Sequence, residues 1–102
     1  MNILFRPRFL RDMQVIIDYL EEQSSLAAEL FLEELNVVVY EKIPKQPFLY
    51  QEFSRIPTAG KVFRRATFKK KWFVIYKVEP NQITYISIFH SSRDISKMQF
   101  DY

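Results

Sequence analysis

The chain has 102 residues, of which 48% are hydrophobic and 17% aromatic, and it carries a formal net charge of +3 at pH 7. This length and composition favour a single folded domain with a real core and argue against disorder. One glycine, one histidine and no cysteine exclude a glycine-rich phosphate loop, a histidine-cluster metal site, a thiolate zinc site and any disulfide.

The first half of the sequence predicts a strand followed by a helical hairpin. Residues 2–6 alternate as a strand does, and residues 8–22 have helical spacing. A second helix is expected over residues 26–43, after a serine that caps it, and about three residues join the two helices. The expected core positions are Phe9, Leu10, Met13, Ile16, Ile17 and Leu20 in the first helix, and Leu26, Leu30, Leu35, Val38 and Ile43 in the second.

The second half predicts three strands that form an antiparallel meander. They cover residues 61–68, 72–78 and 83–89, and short polar turns separate them. Residues 72–78 are nearly all apolar, so this strand is expected to be covered on both faces. Residues 44–60 show no periodicity and are long for a loop, which indicates either function or a short hidden element. Residues 91–102 are expected either to form a helical turn over residues 92–98 or to be partly mobile.

The order of elements predicts an α+β fold with a single domain over residues 1–102. An antiparallel helical hairpin would pack on one face of a small antiparallel sheet, which the C-terminal three-stranded meander completes. The other face would stay open to a partner. The N-terminal apolar run is too short for a signal peptide and no stretch could span a membrane, so a cytoplasmic protein is expected.

Charge is divided unevenly along the chain. Residues 1–51 carry a net charge of −3 and residues 52–102 carry +6, and seven cations with no acid lie between Lys61 and Lys77. A folded surface with this much positive charge is expected to meet an anionic partner or to be covered by one.

Three features of the second half together resemble a known superfamily. They are the pair Arg64 and Arg65, the strand over residues 72–78, and the segment over residues 86–94 with the sequence ISIFHSSRD. In this order, and at this length, the chain resembles the ParE/RelE superfamily, the toxins of bacterial type II toxin–antitoxin modules, also known as plasmid stabilisation proteins. The layout matches over essentially the whole chain, and the distinctive residues lie in the last 40 or so.

The resemblance implies a partner and leaves two targets open. The partner would be a cognate antitoxin whose acidic C-terminal segment folds across the toxin in a hetero-oligomer, without cofactor, metal or membrane. Ribonucleases of the RelE type carry an arginine after the aromatic residue of the central strand, whereas Phe73 follows Trp72 here. His90, followed four residues later by Asp94, resembles the end of the last strand in ParE-type proteins. Inhibition of DNA gyrase is therefore favoured over ribosome-dependent cleavage of mRNA.

A third interpretation is a non-toxic module of the same fold that binds nucleic acid or another partner. The residues for a ribonuclease site, or for target contact in a gyrase inhibitor, are Arg64, His90 and Arg93, with Arg64 expected on the open face. His90 has a side chain suited to proton transfer near neutral pH, or it anchors the strand end through Asp94 or a backbone carbonyl. The residues expected to bind a partner are Arg65, Lys69, Lys70, Lys71, Phe73, Lys77 and Phe89. The plainer alternatives are a solvated lysine turn and core aromatic residues.

Overall fold

A computed structural model describes residues 1–55 and 60–94 of the chain. The helices pack on one face of a four-stranded sheet with the order β1-β4-β3-β2. The elements are β1 (Asn2–Phe5), α1 (Pro7–Gln23), α2 (Ser25–Val37), a π-helical turn (Val38–Lys42), α3 (Ile43–Lys45), β2 (Arg64–Phe68), β3 (Trp72–Glu79) and β4 (Gln82–His90).

The predicted α+β class, helical hairpin and antiparallel meander are confirmed. β1 pairs in parallel with β4, so the sheet is mixed rather than wholly antiparallel. β2 begins at Arg64, three residues later than expected. Of the helical turn expected over residues 92–98, residues 95–98 lie outside the described part of the chain. Within residues 1–55 and 60–94, no helix combines the length and the apolar character needed to cross a membrane.

The two helices are joined by Ser24 alone, which caps both. Its backbone N–H donates to the carbonyl of Leu20 over 2.8 Å, and its hydroxyl accepts from the N–H of Ala27 over 3.3 Å. The serine therefore satisfies a backbone group at the end of α1 and another at the start of α2. This connection keeps the helices antiparallel, as the short link predicts.

The main core lies between the helices and the sheet, and it corrects part of the prediction for the second helix. Leu35, Val38 and Ile43 are buried as expected, whereas Leu26 and Leu30 are exposed. Ala28 and Phe31 take the inner face instead. Apolar residues lie on several sides of the first turns of α2, so their spacing alone does not predict which side faces the core. In α1, Phe9 and Ile16 are buried, Met13, Ile17 and Leu20 are partly buried, and Leu10 is exposed.

The π-helical turn exists because Pro44 follows it. Proline has no N–H and its ring crowds the preceding helical turn, so the helix widens before it. The N–H of Ile43 donates to the carbonyl of Val38, five residues back, rather than to Val39. The freed carbonyl of Val39 accepts from the buried hydroxyl of Tyr85 over 2.6 Å. Burial raises the pKa of the Tyr85 phenol, so this hydroxyl is a permanent donor near neutral pH.

Replacing Tyr85 by phenylalanine should lower the free energy of unfolding by about 1–3 kcal/mol, because the buried Val39 carbonyl loses its partner. Chemical denaturation at neutral pH measures the change. Replacement of the exposed Tyr19 by phenylalanine is the control and should leave stability unchanged. Equal stability of the two variants would contradict this account of the π-helical turn.

The sequence had suggested that the second face of the sheet is open, but this face carries its own core. Phe53, Phe63, Ile75, Ile86 and Phe89 form a buried cluster, and each is at most 4% exposed. The expected open face is therefore wrong over this part of the sheet. Two residues of the cluster, Phe53 and Phe63, come from the segments before and after residues 56–59.

Part of the aperiodic segment is a hidden strand-like element at the edge of β2. The N–H of Phe53 donates to Phe63 over 2.7 Å, and the N–H of Arg65 donates to Gln51 over 3.0 Å. This short antiparallel bridge carries Phe53 onto the second face. Sequence periodicity could not detect it, because the described residues of this segment form a single bridge, between Glu52 and Arg64.

Two lysines of the turn between β2 and β3 adopt left-handed backbone conformations. Lys69 has φ 51° and Lys70 has φ 63°, and the N–H of Lys71 closes the turn on Phe68 over 3.3 Å. Turns whose two central residues both have positive φ prefer asparagine and glycine there, because other side chains are strained.

Replacing Lys70 by glycine should therefore raise the free energy of unfolding by about 0.5–1 kcal/mol, by removing that strain. The matched control is Lys71→Gly. Because Lys71 is not among the residues with positive φ, glycine at this position should lower the free energy of unfolding. Denaturant titration of both variants distinguishes them. Destabilisation at Lys70 would contradict the argument.

Candidate functional site

One end of the sheet brings together five of the residues that the sequence singled out. Trp72 pairs with His90, and the N–H of Ser91 donates to the carbonyl of Lys71 over 2.8 Å. The turn between β2 and β3 therefore lies beside the end of β4. We call this surface the cationic end; it comprises Lys69, Lys70, Lys71, His90 and Arg93.

The lysines and Arg93 of the cationic end are exposed, and one lysine is tied to the helices. Lys69 donates to the carboxylate of Glu34 on α2 over 3.1 Å. An exposed pair of this kind contributes at most about 1 kcal/mol. Its effect here is to fix the turn against α2.

His90 is held by the residues that follow it. Its Nδ1 accepts from the N–H of Ser92 over 3.1 Å and lies 2.7 Å from the hydroxyl of Ser92. The carbonyl of His90 accepts from the N–H of Arg93 over 3.0 Å. The edge of the ring meets Trp72 at 5.3 Å between centroids. Because Nδ1 accepts, the proton of the neutral ring lies on Nε2.

Arg64 does not join this group. It pairs with Tyr76, whereas Phe68, four positions further along β2, pairs with Trp72 at the cationic end. At the rise of an extended strand, the arginine lies about 13 Å from that end. The structure therefore separates Arg64 from His90 and Arg93.

The side chain of Arg64 lies on the helical side of the sheet, so its expected position on the open face is wrong. Its Nη1 donates to the carbonyl of Tyr50 over 2.8 Å, and Nη2 lies 3.9 Å from the carboxylate of Glu52. The guanidinium lies 5.1 Å from the centre of the Phe48 ring. These contacts fasten the segment before β2. Alternation along β2 put Arg64 and Arg65 on opposite faces, but it could not say which face each one took.

Arg65 occupies the second face and stacks on an aromatic residue. Its guanidinium lies 4.3 Å from the centre of the Phe73 ring, which meets Phe89 edge-on at 5.8 Å. The amide of Gln51, with its oxygen turned toward the guanidinium, accepts from Arg65. Phe89 is only 2% exposed and packs in the second core.

Lys77 is also largely buried, at 7% exposure, and its ammonium lies 3.6 Å from the carboxylate of Glu79. That carboxylate accepts from the hydroxyl of Thr84 over 2.8 Å, which is the main cause of a lowered pKa for Glu79. These groups lie by the turn between β3 and β4. Lys77 is thus far from the cationic end.

Among the residues that the structure describes, two grooves border the cationic end. The first, which we call the α2–β2 groove, has a volume of about 700 Å³. Its apolar lining comes from both elements and from the segment between them, and charged side chains join it. Its residues are Glu33, Glu34, Val37, Val38, Lys42, Tyr50, Ala66, Thr67, Phe68, Lys69 and Lys70.

The second groove, which we call the α1–β4 groove, has a volume of about 310 Å³. It is lined by Asp12, Val15, Ile16, Trp72, Ile88, Phe89, His90 and Arg93. Sequence reasoning missed Asp12 and Lys42 as groove residues, because each looks like an ordinary helical surface charge. Only the packing of the helices on the sheet reveals their position.

A family model identifies the family of this chain, and a solved structure shares its fold. Residues 3–95 match the family model described as ParE toxin of type II toxin-antitoxin system, parDE. The fold is similar to the solution structure of the conserved hypothetical protein HP0894 from Helicobacter pylori. The two share 17% sequence identity and a TM-score of 0.58, over 91% of this chain and 97% of that chain. At this identity, the likeness concerns the fold alone. No curated protein matches the sequence.

Proposed function

This chain belongs to the ParE toxin family of type II toxin–antitoxin systems, and on that premise we propose that it inhibits DNA gyrase and is neutralised by a cognate antitoxin. The toxin role follows from the family. The target and the mode of neutralisation are the proposal.

The observation that carries the gyrase proposal is the cationic end. Three consecutive lysines, His90 and Arg93 lie on one surface, and the lysines and Arg93 are exposed. A surface of this kind attracts phosphate backbones and acidic protein surfaces without requiring base-specific contacts. A complex of gyrase with DNA offers both.

The geometry gives less support to cleavage of RNA. Attack by a ribose 2′-hydroxyl needs a base, an acid and a cation around one phosphate. Arg64, the expected cation, lies about 13 Å along the sheet from His90 and donates to the carbonyl of Tyr50. Phe73 takes the place of the central-strand arginine and carries the guanidinium of Arg65. These positions favour a toxin that binds its target over one that cuts RNA.

We place the antitoxin segment in the α2–β2 groove rather than over Phe73 and Phe89. The groove has an apolar lining, and its three lysines outnumber its two glutamates, which suits an acidic segment with apolar anchors. A disordered segment that folds on binding would cover this groove and reach the lysine turn. The toxin's target surface would then be blocked.

Replacing Lys42 and Lys70 together by glutamate should weaken antitoxin binding about tenfold or more, because two attractions at the groove become repulsions. Titration calorimetry at low and high salt measures the effect, which should shrink as salt screens the charges. Glutamate at both Lys45 and Lys61, which lie outside the lining of the groove, is the control with the same change in total charge. An unchanged dissociation constant for the double variant would place the antitoxin elsewhere.

The function is tested by inducing the toxin with and without the neighbouring antitoxin gene, and by reading two targets in the same cells. We expect growth arrest that the antitoxin reverses, relaxed plasmid DNA and translated mRNA that primer extension finds intact. Cuts at defined positions within codons, with normal supercoiling, would identify a ribonuclease instead. Unaffected growth would identify a non-toxic module of the same fold.

A further inference from the structure

A β-bulge in β4 lies just before the part of that strand that enters the cationic end. Ile75 pairs with Ser87, but the next residue, Tyr76, pairs with Tyr85, so β4 contains one extra residue, Ile86. A bulge of this kind bends its strand and changes the directions of the side chains around it. The bulge therefore sets how the last residues of β4 leave the sheet.

The bulge turns the hydroxyl of Ser87 toward helix α1. Ser87 is fully buried, and its Oγ donates to the carboxylate of Asp12 over 2.8 Å. The same carboxylate oxygen lies 3.5 Å from Nε of Arg8, one helical turn earlier. Hydrogen bonds to a carboxylate are stronger than those between neutral groups. We call this contact between α1 and β4 the Asp12–Ser87 clamp.

The clamp lies close to the C-terminal end of β4, which belongs to the cationic end. His90 is three residues beyond Ser87, and Asp12, His90 and Arg93 line the same α1–β4 groove with Trp72. Side chains that fix a strand at a bulge determine where the following residues point. The clamp is thus placed to control the presentation of His90 and Arg93.

We propose that Asp12 and Ser87 are positioning residues for the toxin's target-contacting surface. They hold β4 on its course into His90 and Arg93, and so set the potency of inhibition without touching the target. This inference rests on the proposed function. The proposal also predicts the local geometry of His90 and Trp72, which can be measured without any target.

The test breaks the clamp from each side in the full chain. Ser87→Ala removes the donor and Asp12→Ala removes the acceptor, whereas Asp12→Asn keeps an oxygen that can accept from Ser87. Thr84→Val is the control for a buried hydroxyl of the same strand, before the bulge. Asp18→Ala is the control for an exposed carboxylate of the same helix.

Each variant is read by its potency against gyrase in a supercoiling assay, its affinity for the antitoxin, and two spectroscopic signals. Because the chain has one histidine and one tryptophan, which meet at 5.3 Å, the imidazole resonances and the tryptophan emission report the local geometry directly. We expect the two alanine variants at Asp12 and Ser87 to lose about tenfold in potency and to shift both signals. Their antitoxin affinity should change less than about twofold.

Asp12→Asn should recover most of the potency and the wild-type signals. Unchanged signals in Ser87→Ala and Asp12→Ala would overturn the proposal. So would equal losses in the Thr84→Val control, since these would indicate a general loss of stability. If the wild-type protein leaves gyrase unaffected, the proposed target is wrong. The two spectroscopic signals then still decide whether the clamp positions His90.

Discussion

Replacing Arg93 by glutamate is expected to weaken the proposed inhibition of gyrase by about a hundredfold, a larger effect than that of any other single charge among residues 1–55 and 60–94. Arg93 is exposed, and its N–H closes the turn that follows β4 on the carbonyl of His90. A negative charge there would repel the phosphates or acidic side chains that the neighbouring lysines attract. The concentration that halves supercoiling is the quantity to measure.

Two comparisons test whether the loss of potency comes from this position. The same reversal at Lys45, outside the cationic end, should change potency only slightly, because the total charge alters equally in both variants. Antitoxin affinity of the Arg93 variant should stay close to that of the wild type, since Arg93 does not line the α2–β2 groove. Full potency of the Arg93→Glu variant would remove the cationic end from the proposed mechanism.

The largest expected effect on stability comes from Phe31→Ala, at about 3–5 kcal/mol. Phe31 is 1% exposed and joins α2 to the sheet, with ring centres 5.4 Å from both Phe68 and Trp72. Its loss would leave a cavity between the helix and the hairpin that carries the lysine turn. Domains of this size have a total stability of only about 5–15 kcal/mol, so the variant should melt at least ~12 °C lower.

Denaturant titration followed by the emission of Trp72 measures this loss, because the tryptophan packs on the deleted ring. Leu26→Ala is the matched control, since Leu26 lies on the same helix but is 60% exposed. It should cost less than about 0.5 kcal/mol. Similar losses at both positions would mean that the buried face of α2 has been assigned wrongly.

The lysines of the cationic end lie beside His90 for a topological reason, although from the sequence alone they were assigned to a different role from His90 and Arg93. In an antiparallel meander, the turn between the first two strands lies beside the end of the third. Lys69 to Lys71 therefore had to lie close to His90 once the meander was correct. The pairing of Trp72 with His90 confirms this proximity.

The position of Arg64 could not be predicted in the same way. Alternation separates it from Arg65, but the face that each residue takes depends on the register with β3, which the apolar run over residues 72–78 leaves undefined. The buried second face was missed for a similar reason, because Phe53 reaches it from a segment without periodicity. The inner face of α2 was ambiguous because leucines and alanines surround that helix.

The Asp12–Ser87 contact was the feature least predictable from the sequence. Its two residues are 75 positions apart, and neither stands out by type or spacing. The bulge that brings them together depends on the packing of β3 and β4. Long-range polar contacts of this kind emerge only from the assembled fold.

The most direct test of the central claim is a supercoiling assay with purified toxin, gyrase and relaxed plasmid, run beside a translation reaction that contains a defined mRNA. The account predicts that the toxin blocks supercoiling, that equimolar antitoxin restores it, and that the mRNA stays whole at the same toxin concentration. Unimpaired supercoiling together with cleavage of the mRNA on the ribosome would contradict it.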